Sequence, residues 1–459
     1  MRRSMKNMTL SAIARACNGQ LVGEKDCAGK EAAGVVLDSR LVKKDYLFLA
    51  TVGERTDGHN FIDDVFEKGA LAVVCEKAPA EPKGPYILVQ NSFEALKCIA
   101  KWYRMQLDVK VIGITGSVGK TSTKEFISSV LAQRYTVLKT EGNFNNEVGL
   151  PLTILKLRDH HEVAVLEMGI SNFGEMNRLS EIAKPDICVI TNIGQCHLEN
   201  LGSRQGILKA KSEIFNYMNE NGRVCINGDD DMLLTIKSVK GKKPIKFGFH
   251  PSNDVYATDV VSQGLLGSTC RIHVNDKEFQ AHIPLPGEHM VHNAMAATAV
   301  GTLLHLTCEE IAEGIKAVQS VHGRSNIIQH KKYTIIDDCY NANPVSMKAA
   351  LDLLSMADTR KTAILGDMNE LGSKEQDFHK EVGSYAAAAG VDVLVCIGKL
   401  AKNMYEGALH ANFIGSLFYY ETRDELIAAL SSIIQENDTI LVKASHSMGF
   451  ENIVNALLQ

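Results

Sequence analysis

The 459 residues, 45% hydrophobic and 22% charged, have the composition of an ordinary globular protein and the length of about three domains. A formal net charge of -5 argues against a nucleic-acid surface as the main function. Eleven cysteines scattered singly, with no C-x-x-C spacing, indicate neither a zinc site nor a disulfide framework and fit a reducing cytoplasm.

The opening "MRRSMKNMTLSAIARACNG" is basic, but Arg15 interrupts the apolar core a signal peptide needs. No run approaches the ~20 apolar residues that span a bilayer, so no membrane insertion is expected. The first hundred residues mix short strands and helices. "AAGVVLDSRLVKKDYLFLAT" reads as strand, turn, strand, and "GALAVVCEK" as a further strand. From Val109 to about Ala317 strand, loop and helix alternate through "VKVIGIT", "EVAVLEMG", "DICVITNIG" and "GRVCING". A parallel α/β sheet is expected there, with ligands at the strand C-termini. A more polar, β-like insertion is expected from about Ile245 to His282, followed by a helix through "NAMAATAVGTLLHL". After "HGRSN" the alternation restarts with "YTIIDDCY", "KTAILGD", "VDVLVCIG" and "DTILVKAS", which puts a domain boundary near Gly323.

Within the middle region, "TGSVGKTSTK" (Thr115–Lys124) is nearly a phosphate-binding loop. Gly119, Lys120 and Thr121 match the end of G-x-x-x-x-G-K-[ST], but Ile114 occupies the first glycine position and Gly116 lies two residues later. The context decides for phosphate over a plain Gly/Ser turn with a surface lysine. A buried strand precedes the loop, and Phe126, Ile127, Val130 and Leu131 follow at helical spacing. Free backbone N–H groups and a positive helix end then meet at one point, which suits an anion. Lys120 would reach the β/γ-phosphates, and Thr121 would ligate Mg²⁺.

Other apolar strands also end in polar residues. Glu167 closes "AVLEMG", where a carboxylate can hold a metal bound to a nucleotide, although a lone glutamate after a strand is usually a cap or a surface group. Asn192 and His197 follow the strand in "VITNIGQCHLEN", and a single histidine is more often structural than a ligand. Lys209 and Lys211 in "LKAKSEIF" lie on a helix, where a solvated face is the ordinary expectation.

Taken together these segments resemble the Mur ligase family, along essentially the whole chain. The resemblance rests on "DSR" with "DGHNF", "TGSVGKTSTK", "TEGNFNNEVGLPLTIL", "EMGISNFGEMNRLSEIAKPD", "TNIGQCHLENLGS", "AKSEIF", "HGRSN", "DDCYNANPVSM" and "LGDMNELG". It implies an α/β enzyme of three domains: a small α/β UDP-substrate domain (1–107), a central parallel-sheet ATPase with a P-loop-like turn (108–322) and a C-terminal Rossmann-like domain (323–459). "NFNNEVGLP", "YNANP" and "LGDMNELG" imply the member that adds D-Ala-D-Ala to UDP-MurNAc-tripeptide through an acyl phosphate, with ATP and Mg²⁺. The product would be UDP-MurNAc-pentapeptide, a peptidoglycan precursor.

The same resemblance implies residue roles. Gly116, Ser117, Val118, Gly119, Lys120, Thr121 and Ser122 would cradle the phosphates, with Thr121 and Glu167 at the Mg²⁺ that bridges them. His197 would stand near a second Mg²⁺ held through a carbamate on Lys211. Asn293 would contact adenine, and Arg324 and Asp338 would close on the nucleotide. Ser39 and Arg40 match the uridine-end motif, and Asn145 with Asn146 the substrate loop. Tyr340, Asn341 and Asn343 would face the dipeptide. Two departures stand out: Met290 replaces an Asn found in many relatives, and His446 in "KASHSMG" replaces an expected Arg, whose permanent bidentate charge a neutral His does not supply. Three other readings remain at this point: a family member adding the third peptide residue, a folate-type amide ligase, and a regulatory nucleotide-binding module.

Overall fold

The computed structural model describes residues 5–53 and 56–459 of the chain. Three sheets of five, nine and six strands follow one another along the sequence. The first contains β1 (Gln20–Val22), β2 (Gly34–Val36), β3 (Tyr46–Leu49), β4 (Ala72–Cys75) and β5 (Tyr86–Leu88), in the order β1-β5-β4-β3-β2. Its neighbours are parallel except β1, which runs antiparallel to β5. The strand–turn–strand read at 32–51 is thus the parallel pair β2 and β3, and Ser39 and Arg40 lie on the turn between them.

The middle sheet holds β6 (Lys110–Thr115), β7 (Val137–Lys139), β8 (Val163–Glu167), β9 (Ile187–Ile190), β10 (Arg223–Asn227), β11 (Ile245–Gly248), β12 (Val255–Ser262), β13 (Ser268–Val274) and β14 (Lys277–Ile283). β6 lies between β8 and β9, parallel to both. Both of its faces are covered, so "VIGIT" is an unbroken apolar run rather than an alternating one. The chain leaves β6 for β7 and β8 on one side and reaches β9 on the other. That reversal opens a crevice at the strand C-termini, where α/β sheets bind ligands. The helix Lys120–Leu131 fills one face with Phe126, Ile127, Val130 and Leu131. It packs against Glu288–Leu303, a helix buried almost all round through Ala294, Ala296, Ala297 and Ala299.

The β character expected at about 245–282 is present, but the segment is not a separate insertion. β11 pairs parallel with β10 and β12 parallel with β11, and β13 and β14 then add antiparallel strands, so the segment extends the central sheet itself. It reads as polar because Thr269, Arg271 and His273 lie on the less buried face of β13 while Cys270, Ile272 and Val274 enter the core.

The third sheet contains β15 (Asn326–Gln329), β16 (Thr334–Asp337), β17 (Lys361–Gly366), β18 (Val393–Ile397), β19 (Ser416–Tyr420) and β20 (Thr439–Lys443), in the order β15-β16-β20-β17-β18-β19. All but β15 are parallel, with apolar clusters on both faces. β19 escaped the sequence reading because an edge strand of half-buried residues, "SLFYY", lacks a continuous apolar core signature.

Side-chain contacts join the domains built on the three sheets. The Tyr103 hydroxyl at the end of the helix Ser92–Arg104 donates to Leu157 O at 2.7 Å, and the buried Arg104 guanidinium donates to the carbonyls of Ala183, Leu107 and Val109. At the far side, Leu265 on the β12–β13 turn packs into the core of the third sheet. Among the described residues no helix is long and apolar enough to cross a membrane.

Candidate active site

A cleft of about 750 Å³ opens at the C-terminal ends of β6, β8 and β9 and is closed over by residues of the third sheet's domain. β6 ends at Thr115 and the next helix begins at Lys120, so the whole turn is Gly116–Gly119. Ile114 departs from the phosphate-loop pattern because it is still inside the sheet, opposite Glu167 and Val189. Glycine is demanded at 116 instead. Its φ is +150°, and a Cβ there would stand 1.9 Å from Thr191 Oγ1.

The loop is held from behind. Ser117 N donates to Asn192 O and Val118 N to Asn192 Oδ1, both at 3.0 Å, while the Thr191 hydroxyl donates to Val118 O at 2.6 Å. Asn192, read only as a polar residue beyond a strand, is therefore a rivet for the loop. The first-turn amides of the helix have no intrahelical acceptor and no side-chain cap, which leaves them facing the cleft. Lys120 Nζ folds back onto Gly116 O at 2.9 Å. Unpaired amides, a helix N-terminus and a lysine together form an anion site.

Glu167 is 1% exposed, so it is neither a cap nor a surface group. Both of its oxygens are engaged: Thr121 Oγ1 donates to Oε2 and Asn145 Nδ2 to Oε1, each at 2.8 Å. Its backbone N–H donates to Thr140 Oγ1 at 3.0 Å, and the buried Lys124 ammonium donates to Thr140 O at 2.7 Å. Lys124 was missed in the sequence reading because it appeared to be one more charge of a helix. Its neighbours at helical spacing, Thr121 and Ser128, are buried too.

Lys209 and Lys211 separate. Lys209 is exposed, with its ammonium 6.0 Å from the Phe173 ring centroid. Lys211 is 1% exposed, and burial, followed by the charge of Lys120, lowers its amine to about 7. His197 adopts a left-handed backbone (φ +56°) before the short helix Leu198–Leu201 and lines the same cleft.

On the opposite wall Asn293 Oδ1 accepts from Thr123 Oγ1 at 2.8 Å, and Asn293 Nδ2 lies 3.4 Å from the Met290 thioether. Met290 thus supplies a weak acceptor where an Asn would supply a strong one. From the third domain come Arg324, whose guanidinium lies 3.9 Å from the Tyr340 ring centroid, and Asp338, which accepts from Lys443 Nζ at 2.6 Å and from Ser325 N at 2.9 Å. Lys443 Nζ also donates to Asn341 O at 2.9 Å, and Asn343 caps the helix Pro344–Ser355. Lys443 was another omission: it ends the apolar strand β20 as Glu167 ends β8, but its segment was set aside because of His446. The His446 ring is exposed and lies 5.3 Å from that of Tyr340.

Ser122, Asn145 and Asn146 line the cleft with the loop. Asn146 accepts from Gly149 N on its Oδ1 at 2.8 Å, so it shapes its own loop from within. Ser39 and Arg40 are not brought to the cleft. Arg40 projects from the first domain with 84% of its side chain exposed, paired to Asp38 at 2.7 Å.

Family models match the chain in three consecutive stretches: "Mur ligase family, catalytic domain" at 31–109, "Mur ligase middle domain" at 114–301 and "Mur ligase, glutamate ligase domain" at 323–446. The UDP-N-acetylmuramoyl-tripeptide–D-alanyl-D-alanine ligase of Bacillus subtilis is 40% identical over 431 residues, 93% of each chain. A crystal structure of MurF from Acinetobacter baumannii superposes with a TM-score of 0.89 at 32% identity, covering 98% of both chains. MurF ligase from Thermotoga maritima in complex with ADP gives a TM-score of 0.80 at 29% identity, covering 93% of this chain and 97% of that one.

Proposed function

The chain belongs to the Mur ligase family, and from that premise we infer that it is an ADP-forming amide ligase that adds D-alanyl-D-alanine to UDP-N-acetylmuramoyl-tripeptide in peptidoglycan precursor synthesis. The observation that carries the reading is the unpaired helix N-terminus with Lys120, set beside a Glu167 whose carboxylate is already oriented by Thr121 and Asn145. The three domains are assigned as 1–107, 108–322 and 323–459. The reaction is assigned to the cytoplasm.

A peptide carboxylate is a poor electrophile because it is anionic and resonance-stabilised. Its oxygen attacks the γ-phosphorus of ATP, the bond to ADP breaks, and an acyl phosphate forms. Two anions must approach, so the free first-turn amides of the helix and Lys120 bind the phosphates and offset the accumulating charge. The neutral amine of D-Ala-D-Ala then attacks the acyl carbon. Phosphate leaves with the bonding electrons and takes up the amine proton.

Thr121, Glu167, His197 and Lys211 fit magnesium: a hydroxyl, a fully oriented carboxylate, an imidazole, and a buried amine that becomes an oxygen donor once carbamylated. Magnesium held there and on the phosphates would neutralise charge on the transferred phosphoryl group. The carbamate is supported by the burial of Lys211 beside Lys120, which keeps a large share of the amine neutral and nucleophilic towards CO₂. Asn293, Arg324 and Asp338 are assigned to the nucleotide, and Ser39 and Arg40 to the uridine end. Asn145, Asn146, Tyr340, Asn341 and Asn343 are assigned to the peptide substrates.

A coupled assay tests the function. ADP and phosphate should appear in equal amounts only when UDP-tripeptide, D-Ala-D-Ala and Mg²⁺-ATP are all present. Equal turnover with a free amino acid in place of the dipeptide would support addition of the third residue instead.

A further inference from the structure

The contact between the middle and third domains beside the cleft is small and specific. On one side is the short helix Leu198–Leu201, preceded by His197. On the other is the loop after β17, where Glu370 takes a left-handed backbone (φ +62°) and Gly372 begins a turn of 3₁₀ helix. The two segments touch closely: a Cβ on Gly372 would lie 3.7 Å from Glu199 Cα. In this contact the Glu370 carboxylate reaches across the domain boundary to within 2.7 Å of His197 Nδ1. His197 Nδ1 is buried and has no other partner among the described residues, and the approach of Glu370 is not yet in line for a good hydrogen bond. Such bonds tighten when a site fills.

We propose that Glu370 is a positioning residue, delivered by the third domain, that holds the Nδ1 side of His197 so that Nε2 is presented to the cleft. The physical basis is the placement of an anion against one ring nitrogen. A carboxylate beside Nδ1 favours the tautomer with the proton on Nδ1 and leaves the Nε2 lone pair free to ligate. The carboxylate belongs to a different domain from the ring it orients. The ligating form of His197 is therefore completed only when the third domain rests on the helix Leu198–Leu201. Metal loading and domain closure become one event. The turn that carries the carboxylate there is shaped by Gly372, whose φ of +66° favours glycine. The inference rests on the assignment of His197 to the metal.

The test uses the full-length protein with Mn²⁺ as the probe and ADP present, so that no turnover occurs. Glu370→Ala should weaken Mn²⁺ binding by ~10–100-fold, the range for lost outer partners of metal-ligating histidines. In metal-free, ¹⁵N-labelled protein the His197 ring should lose its preference for the Nδ1–H tautomer. Glu370→Gln, which keeps the shape and an acceptor oxygen, should fall between wild type and Ala in both measurements. Glu370 is more than half exposed, so the fold should survive either change, as a thermal melt would verify. His197→Ala separates the two levels of the argument. If it leaves Mn²⁺ affinity unchanged, the metal assignment fails and this inference fails with it. If His197→Ala weakens Mn²⁺ but Glu370→Ala leaves both affinity and tautomer unchanged, the inference alone is overturned.

Discussion

Thr121 Oγ1 donates to Glu167 Oε2 at 2.8 Å, tying the first turn of the phosphate-loop helix to the end of β8. Forty-six residues apart in sequence, they meet because β6 and β8 are adjacent parallel strands whose C-termini share one edge. With Asn145 on the other oxygen, the carboxylate is oriented without any ligand. Such preorganisation is what a phosphoryl-transfer site requires, since the protein does little covalent chemistry there.

Lys120 is the cation assigned to the phosphates in the proposed mechanism. Lys120→Ala should lower kcat by ~10²-fold or more, the scale for removing one charge-stabilising group. Circular dichroism should be unchanged, because Asn192 and Thr191 still hold the loop once the Lys120 contact to Gly116 O is lost. A folded variant with most of the wild-type kcat would remove Lys120 from the mechanism.

Lys211 carries the carbamate in the proposed mechanism. Lys211→Ala should be nearly inactive yet still bind ATP, and short carboxylates such as acetate should restore part of its rate. Lys211→Arg should stay inactive, since a guanidinium keeps its charge and does not take up CO₂ under these conditions. Full activity in the Arg variant would show that a positive charge is all the site needs.

The depressed amine of Lys211 also predicts a stability profile in the metal-free, CO₂-depleted protein. Its folded value is about 7 against ~10.4 in an unfolded chain, so between these limits the unfolded state binds more protons. Stability should rise as pH climbs through that window, and the penalty for burying the amine is complete at and below its folded value. Lys211→Met should therefore raise the melting temperature most near neutral pH, with the gain shrinking towards the upper limit. Thermal melts of both proteins across the range would check this, and a pH-independent gain would contradict it.

Gly116 is the one loop position with neither the conformation nor the space for a side chain. Gly116→Ala should cost about 1–3 kcal/mol of backbone and steric strain, measured by denaturant titration. ATP affinity should fall with it, since the strained loop must move away from Thr191. Gly142 also has positive φ, but no atom lies within 4 Å of a Cβ there, so Gly142→Ala should leave nucleotide affinity unchanged.

The strands and the loop were legible because their signals are local. "VKVIGIT" followed by glycines and a helical apolar stripe states a strand, a turn and a helix from nearest-neighbour chemistry alone. "EVAVLEMG" and "DICVITNIG" did the same for β8 and β9. The segment 245–282 was read correctly as β-like but wrongly as an insertion, because sheet membership depends on which strand lies alongside, which the alternation of "STCRIHV" does not reveal. Lys124 and Lys443 were missed for a related reason: each is a charged residue whose meaning comes from burial.

By itself, then, the sequence determined the α/β class, the phosphate-loop turn and the family motifs, because each is written in contiguous residues. Only the tertiary structure decided what the isolated polar residues are. Glu167, Lys211 and His197 are ordinary in their own segments, and the two lysines of "LKAKSEIF" are indistinguishable there. Helix phase buries one within reach of the charge of Lys120 and leaves the other in solvent. The Glu370 carboxylate reaches His197 only because two domains meet, 173 residues apart along the chain. Charge and pKa are set by distance and dielectric, and both are properties of the folded molecule.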